Sequence, residues 1–110
     1  AQALNVLASS LLNRHRAQII EHTAVTRLPA IYQWPEMAEE GGLIAYGPRF
    51  VTLYAQHALQ TVKVLNGTEP ADIPVEQPTK FELVVNLKTA KGLGLTIPPS
   101  LLGRADEVIE

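Results

Sequence analysis

The stretch LPAIYQWPEMAEEGGLIAYGP, residues 28–48, sets two short apolar runs on either side of a helical turn, and its punctuation decides the architecture. Residues 28–32 read as a strand, with Pro29 at the second position, where a missing N–H costs a sheet least. Pro35 can open one or two helical turns over residues 35–40, and Gly41-Gly42 stops them. Leu43, Ile44, Ala45 and Tyr46 form the next apolar run, which ends at Gly47-Pro48. Strand, helical crossing, strand is the βαβ arrangement, and it implies a parallel pair in a layered α/β domain.

The same texture continues in both directions. Upstream, residues 4–8 form another apolar run, and Ser9-Ser10 reads as the cap of a helix over residues 11–26. Its inner face is expected to carry Leu12, Ile19, Ile20 and Ala24, with Arg16 contributing its aliphatic stem. Downstream, Pro48 opens a long helix that Asn66-Gly67 closes, with an apolar stripe of Val51, Tyr54, Ala55, Ala58, Leu59, Val62 and Leu65. Pro70, Pro74 and Pro78 keep residues 68–80 extended. Residues 81–86 read as a strand whose last residue, Asn86, can cap a helix over residues 87–93 that Gly94 ends. Pro98-Pro99 begins a last short helix.

Composition excludes several functions. The chain has 110 residues, 46% of them hydrophobic and 18% charged, and a formal charge of -2. That balance suits a folded domain and offers no basic stripe for nucleic acid. The absence of cysteine removes disulfides, thiolate metal sites and cysteine nucleophiles. His15 and His22 lie seven residues apart, about 10 Å along a helix, too far to share a metal ion. Glu36, Glu39 and Glu40 crowd one short helix, where three acids near its start match the helix dipole. Asn66-Gly67-Thr68 fits a glycosylation pattern and also supplies a helix end. Gly92-Leu93-Gly94 lacks the third glycine of a dinucleotide fingerprint. None of Ser9, Ser10 and Ser100 sits in a nucleophile elbow. Neither a catalytic centre nor a cofactor is expected.

What remains is a polar and aromatic set following the apolar strands: Ser9, Ser10, Tyr32, Trp34 and Tyr46. Open parallel sheets bind ligands beyond their C-terminal strand ends. The serines can donate to a ligand carboxylate beside a positive helix end, and the three aromatic rings can stack on an apolar body.

Four motifs carry a family resemblance: Arg27-Leu-Pro-Ala-Ile-Tyr32, Gly41-Gly-Leu-Ile-Ala-Tyr-Gly-Pro48, the run from Asp72-Ile-Pro-Val-Glu-Gln-Pro through Asn86-Leu-Lys-Thr-Ala-Lys91, and Gly94-Leu-Thr-Ile-Pro-Pro-Ser through Asp106-Glu-Val-Ile109. Together they resemble ABC-transporter substrate-binding proteins with a type I periplasmic-binding-protein fold. The resemblance implies the C-terminal part of a two-lobe protein whose ligand lies in the cleft between lobes. By that likeness residues 1–47 belong to the C-terminal lobe, residues 48–67 form a crossover helix that packs on the N-terminal lobe, and residues 68–110 return and finish the lobe. Some members resemble binders of tryptophan or related amino acids. Relatives often place an aspartate near the second serine of residues 5–10, and none stands there in this chain.

The function so implied is binding rather than catalysis, with a small-molecule ligand and the membrane subunits of an ABC importer as partners. The expected setting is the periplasm or a lipid anchor outside the cytoplasmic membrane. A sensing domain of a transcription regulator is the alternative, because such regulators use the same two-lobe fold. The apolar stripe of the long helix further implies that this chain pairs as a homodimer.

Overall fold

The parallel strands expected around residues 28–48 form the centre of a five-stranded sheet in the computed structural model, which describes residues 1–110. The strands are β1 (Leu4–Val6), β2 (Ala30–Tyr32), β3 (Ile44–Gly47), β4 (Glu82–Asn86) and β5 (Glu107–Ile109), and they lie side by side in chain order. The helices are α1 (Ser10–Arg14), α2 (Arg16–Val25), α3 (Pro35–Glu39), α4 (Phe50–Leu65), α5 (Leu87–Leu93) and α6 (Pro99–Leu102), with a 3-10 turn at Pro70–Asp72.

The expected parallel pairing holds over most of the sheet: β1, β2 and β3 run together and β5 is parallel to β4, while β4 is antiparallel to β3. Gly47, the last residue of β3, pairs with Glu82, the first of β4, so the chain leaves and re-enters the sheet at the same end. A strand entering where its neighbour ended must run the other way. The helix expected over residues 11–26 is divided at His15, and Thr23 rather than Ala24 takes its inner face. Thr23 Oγ1 donates to the Ile20 carbonyl and lies 2.9 Å from the Tyr32 hydroxyl, so its polar group is satisfied on both sides.

One face of the sheet packs Val6, Ala30, Tyr32, Ala45 and Val84 against Ile20 of α2 and Met37 and Ala38 of α3. Leu43 and Val85 join Ala90 and Ile97 in a second, smaller cluster under α5 and α6. Asn86 ends β4 and caps α5 as expected, its Oδ1 accepting from the Thr89 N–H and its Nδ2 donating to the Ala38 carbonyl. Gly94, left-handed at φ 71°, terminates that helix.

α2 ends in a Schellman turn, with the Leu28 N–H on the Thr23 carbonyl at 2.9 Å, but the left-handed position is held by Arg27 at φ 52° rather than by glycine. An L side chain there is strained, and glycine would return part of the relief as unfolded-chain entropy. Arg27→Gly is expected to stabilise the chain by about 0.5–1 kcal/mol, read from urea unfolding.

α4 stands apart. No residue of it is buried, and it projects from the sheet so that the molecule measures 55 × 30 × 21 Å with a radius of gyration of 16.9 Å. A compact chain of this size would have a radius near about 13 Å. Residues 68–80 run back along this arm to β4, with Gln56 Nε2 donating to Glu76 at 2.7 Å. No helix is long and apolar enough to cross a membrane.

Candidate functional site

The C-terminal ends of β1, β2 and β3 lie at one edge of the sheet, with Val6 opposite Tyr32 and Tyr32 opposite Ala45. All five residues singled out from the sequence therefore belong to that edge or the loops beyond it. The structure brings only some of them together. Ser9, Ser10 and Trp34 line one cavity of about 370 Å³, joined by Ala8, Asn13, Phe50 and Tyr54. That volume is near the lower end for small-molecule sites.

Tyr32 is not part of the lining. It is the last residue of β2 and its side chain enters the core, 1% exposed, with the hydroxyl against Thr23. Burial raises its pKa above the ordinary tyrosine value, and the Thr23 hydrogen bond partly opposes that. Tyr46 is also absent from the lining. Successive strand residues face opposite sides, so while Ala45 enters the core Tyr46 faces away from it. Its ring, 54% exposed, stacks on Phe81 at 5.8 Å. Of the five expected side chains, Tyr32 and Tyr46 thus lie outside this cavity.

Trp34 escapes that fate because it lies beyond β2, in the extended residue that precedes α3. One side of its indole rests on the first core cluster, and its ring stacks on Phe50 with centroids 4.3 Å apart and planes 25° apart. Phe50 begins α4, and Tyr54, one helical turn on, extends the stack at 6.1 Å. Ser9 precedes α1 with extended backbone, and its side chain makes no capping bond. Asn13, one turn into α1, has a buried Oδ1 without a hydrogen-bond partner, although such atoms are usually paired. Sequence reading missed Phe50, Tyr54 and Asn13. The available signal was the place of Phe50, just beyond the third strand end, where a ligand-facing residue is expected.

The cavity therefore has an aromatic wall from α4 and Trp34 and a polar floor from the start of α1. No acidic or basic side chain lines it. Such a site can grip a flat apolar body and hydrogen-bond a polar group.

Charge is concentrated instead where α4 begins. The guanidinium of Arg49 reaches Glu39 of α3 through Nη1 at 2.5 Å, Glu82 of β4 through Nε at 2.5 Å and Glu107 of β5 through Nη2 at 2.8 Å. Bonding to Glu39 and then Glu82 raises the pKa of Arg49. Bonding from Arg49 and then Lys80 holds the Glu82 carboxyl below the usual carboxylate range. The Phe50 N–H, otherwise unpaired at the helix start, donates to Glu36 Oε1 at 2.9 Å.

The family described as ABC transporter substrate binding protein matches residues 2–109. Among solved structures, an ABC domain in complex with L-Trp from Streptococcus pneumoniae is 29% identical, with a TM-score of 0.88 over 99% of this chain and 37% of its own. A conserved domain protein from Vibrio cholerae is 23% identical with a TM-score of 0.90, over 98% of this chain and 36% of its own. The ligand-free, open structure of a substrate-binding protein with adhesive properties from Clostridium difficile is 23% identical with a TM-score of 0.58 over 97% of this chain. The chain thus spans little more than a third of the length of these structures. No curated protein matches it in sequence.

Proposed function

Because the chain belongs to the ABC transporter substrate-binding protein family, we propose that it forms part of a solute receptor that holds a small aromatic ligand, such as an aromatic amino acid, against the cavity at the sheet edge. The observation that carries this reading is the stack of Trp34 on Phe50 beside free hydroxyls, in a lining without charge. In it, Trp34, Phe50 and Tyr54 hold the ring, Ser9 and Ser10 donate to a carboxylate, and the Asn13 Oδ1 accepts from an N–H or O–H of the ligand. The L-Trp bound by the pneumococcal domain supports the ligand class. The reading assigns binding, not catalysis, and delivery to the membrane subunits of an importer outside the cytoplasmic membrane.

On the same proposal residues 1–47 and 81–110 make up one lobe, α4 reaches to the other, and ligand contacts from both favour a closed state. Thermal unfolding of the whole two-lobe protein with L-tryptophan, L-tyrosine and indole tests it, since this chain alone is expected to bind weakly or not at all. A ligand at a hundred times its Kd adds about 2.7 kcal/mol of stability. A saturable rise with an aromatic compound is the expected result. A rise only with sugars or other non-aromatic solutes overturns the ligand class.

The exposed stripe on α4 follows from the proposal too. Val51 is 76% and Leu65 79% exposed, and Leu59 and Val62 are more than half exposed. Side chains of this size gain about 1.5–3 kcal/mol each on full burial, which favours a partner surface. We expect this chain by itself to dimerise through α4 at micromolar concentration, and Val62→Glu to return it to a 12.0 kDa monomer in sedimentation. A native monomer that does not associate on concentration counts against the pairing.

A further inference from the structure

The arm formed by α4 meets the body at one small junction. Residues 47–50 lead out of β3, residues 80–82 lead back into β4, and these two passages are adjacent in the sheet at the Gly47 and Glu82 pair. Arg49 lies in the outgoing passage and uses all three guanidinium nitrogens there. Nε binds Glu82 in the returning passage, Nη1 binds Glu39 and Nη2 binds Glu107. Lys80, also in the returning passage, makes a second ion pair with Glu82 at 3.0 Å. The next residue, Phe50, is tied through its N–H to Glu36, one turn before Glu39 on α3.

Beyond the stack of Phe50 on Trp34, no side chain of the arm is buried against the body, so packing along the rest of its length does not fix its direction. The same arm carries Phe50 and Tyr54, whereas Ser9, Ser10, Asn13 and Trp34 belong to the body. Arm direction and cavity width are therefore one variable. We propose that Arg49 is a positioning residue: its fork of ion pairs sets the angle between α4 and the body, and so the gap between the aromatic wall and the polar floor. A bidentate or tridentate guanidinium has the fixed planar geometry that such a role requires, and an ammonium does not. The angle rests on the ion pairs with the Phe50 N–H bond to Glu36 and the Phe50 stack beside them; the consequence for ligand affinity rests on the function proposed above.

The chain has no cysteine, so a spin-label pair can be introduced without further change. Lys63→Cys on the arm and Lys88→Cys on α5 are both exposed positions. Labelled chain diluted in unlabelled chain reports only distances within one molecule, and no ligand is needed. A narrow distance distribution is expected for the native sequence. Arg49→Gln should broaden it roughly twofold, as expected for a segment freed from its local anchors, with Arg49→Lys restoring only part of the order. Because Arg49→Gln also removes support from the fold, Glu39→Gln combined with Glu107→Gln gives a second measure, removing two anchors while Glu82 keeps its own. Broadening in both, with the far-ultraviolet dichroism unchanged, is the supporting result. An unchanged distribution in Arg49→Gln, or full restoration by lysine, overturns the proposal, whatever the ligand tests show.

Discussion

Gly47→Ala is expected to destabilise the chain by about 3 kcal/mol or more, the upper end for forced overpacking. A Cβ at Gly47 would stand 1.9 Å from the Gln33 carbonyl oxygen and 3.1 Å from its carbon. Both are backbone atoms of the segment that follows β2, so no side-chain rotation relieves the clash. Either β3 withdraws from β2 or the segment of Gln33 and Trp34 shifts outward. Both movements reach the cavity, since Trp34 stacks on Phe50 three residues beyond Gly47. Urea unfolding followed by dichroism measures the loss. A midpoint within error of the native value would show that the two strands are not held at this separation.

The second large effect concerns ligand capture. Trp34→Ala and Phe50→Ala should each weaken binding of the best aromatic ligand about 10- to 100-fold, corresponding to about 1.4–2.8 kcal/mol. Tyr46→Ala, at the same sheet edge but stacked on Phe81 away from the cavity, should leave binding within about twofold. Titration calorimetry on the three variants checks the contrast. Equal losses in all three would mean that the ligand lies across the whole edge and not in the cavity beside α1.

Much of the fold was legible because local chemistry and tertiary need agree along this chain. The apolar runs ending at Tyr32 and Tyr46, the proline that opens α3 and the asparagine that caps α5 each do in the structure what their residue types favour. Strand β5 was not legible: it has three residues, with Glu107 and Val108 exposed, so neither a run nor an alternation marks it. The direction of β4 was equally hidden, because it depends on where α4 and residues 68–80 bring the chain back and not on the residues of the strand. Tyr32 and Trp34 are two positions apart and look alike as candidates, yet one lies inside the strand and the other past its end. That single boundary separates a core residue from a cavity residue. Tyr54 was obscured because it belongs to the helical stripe, which reads as packing, and Phe50 because it opens the same helix one residue ahead of that stripe.

The neighbouring ends of β3 and β4 give the excursion between them a polymer meaning. Gly47 and Glu82 are register partners, so residues 48–81 act as the loop of a hairpin, although they include the longest helix of the chain. Closing a loop of that length instead of a four-residue turn adds about three doublings, or about 2 kcal/mol, to the entropy of closure. That modest sum is all the sheet loses by carrying the excursion. Residues within it can therefore change in length and sequence with little effect on the pairing of the strands, which leaves selection free to reshape the arm without unmaking the body.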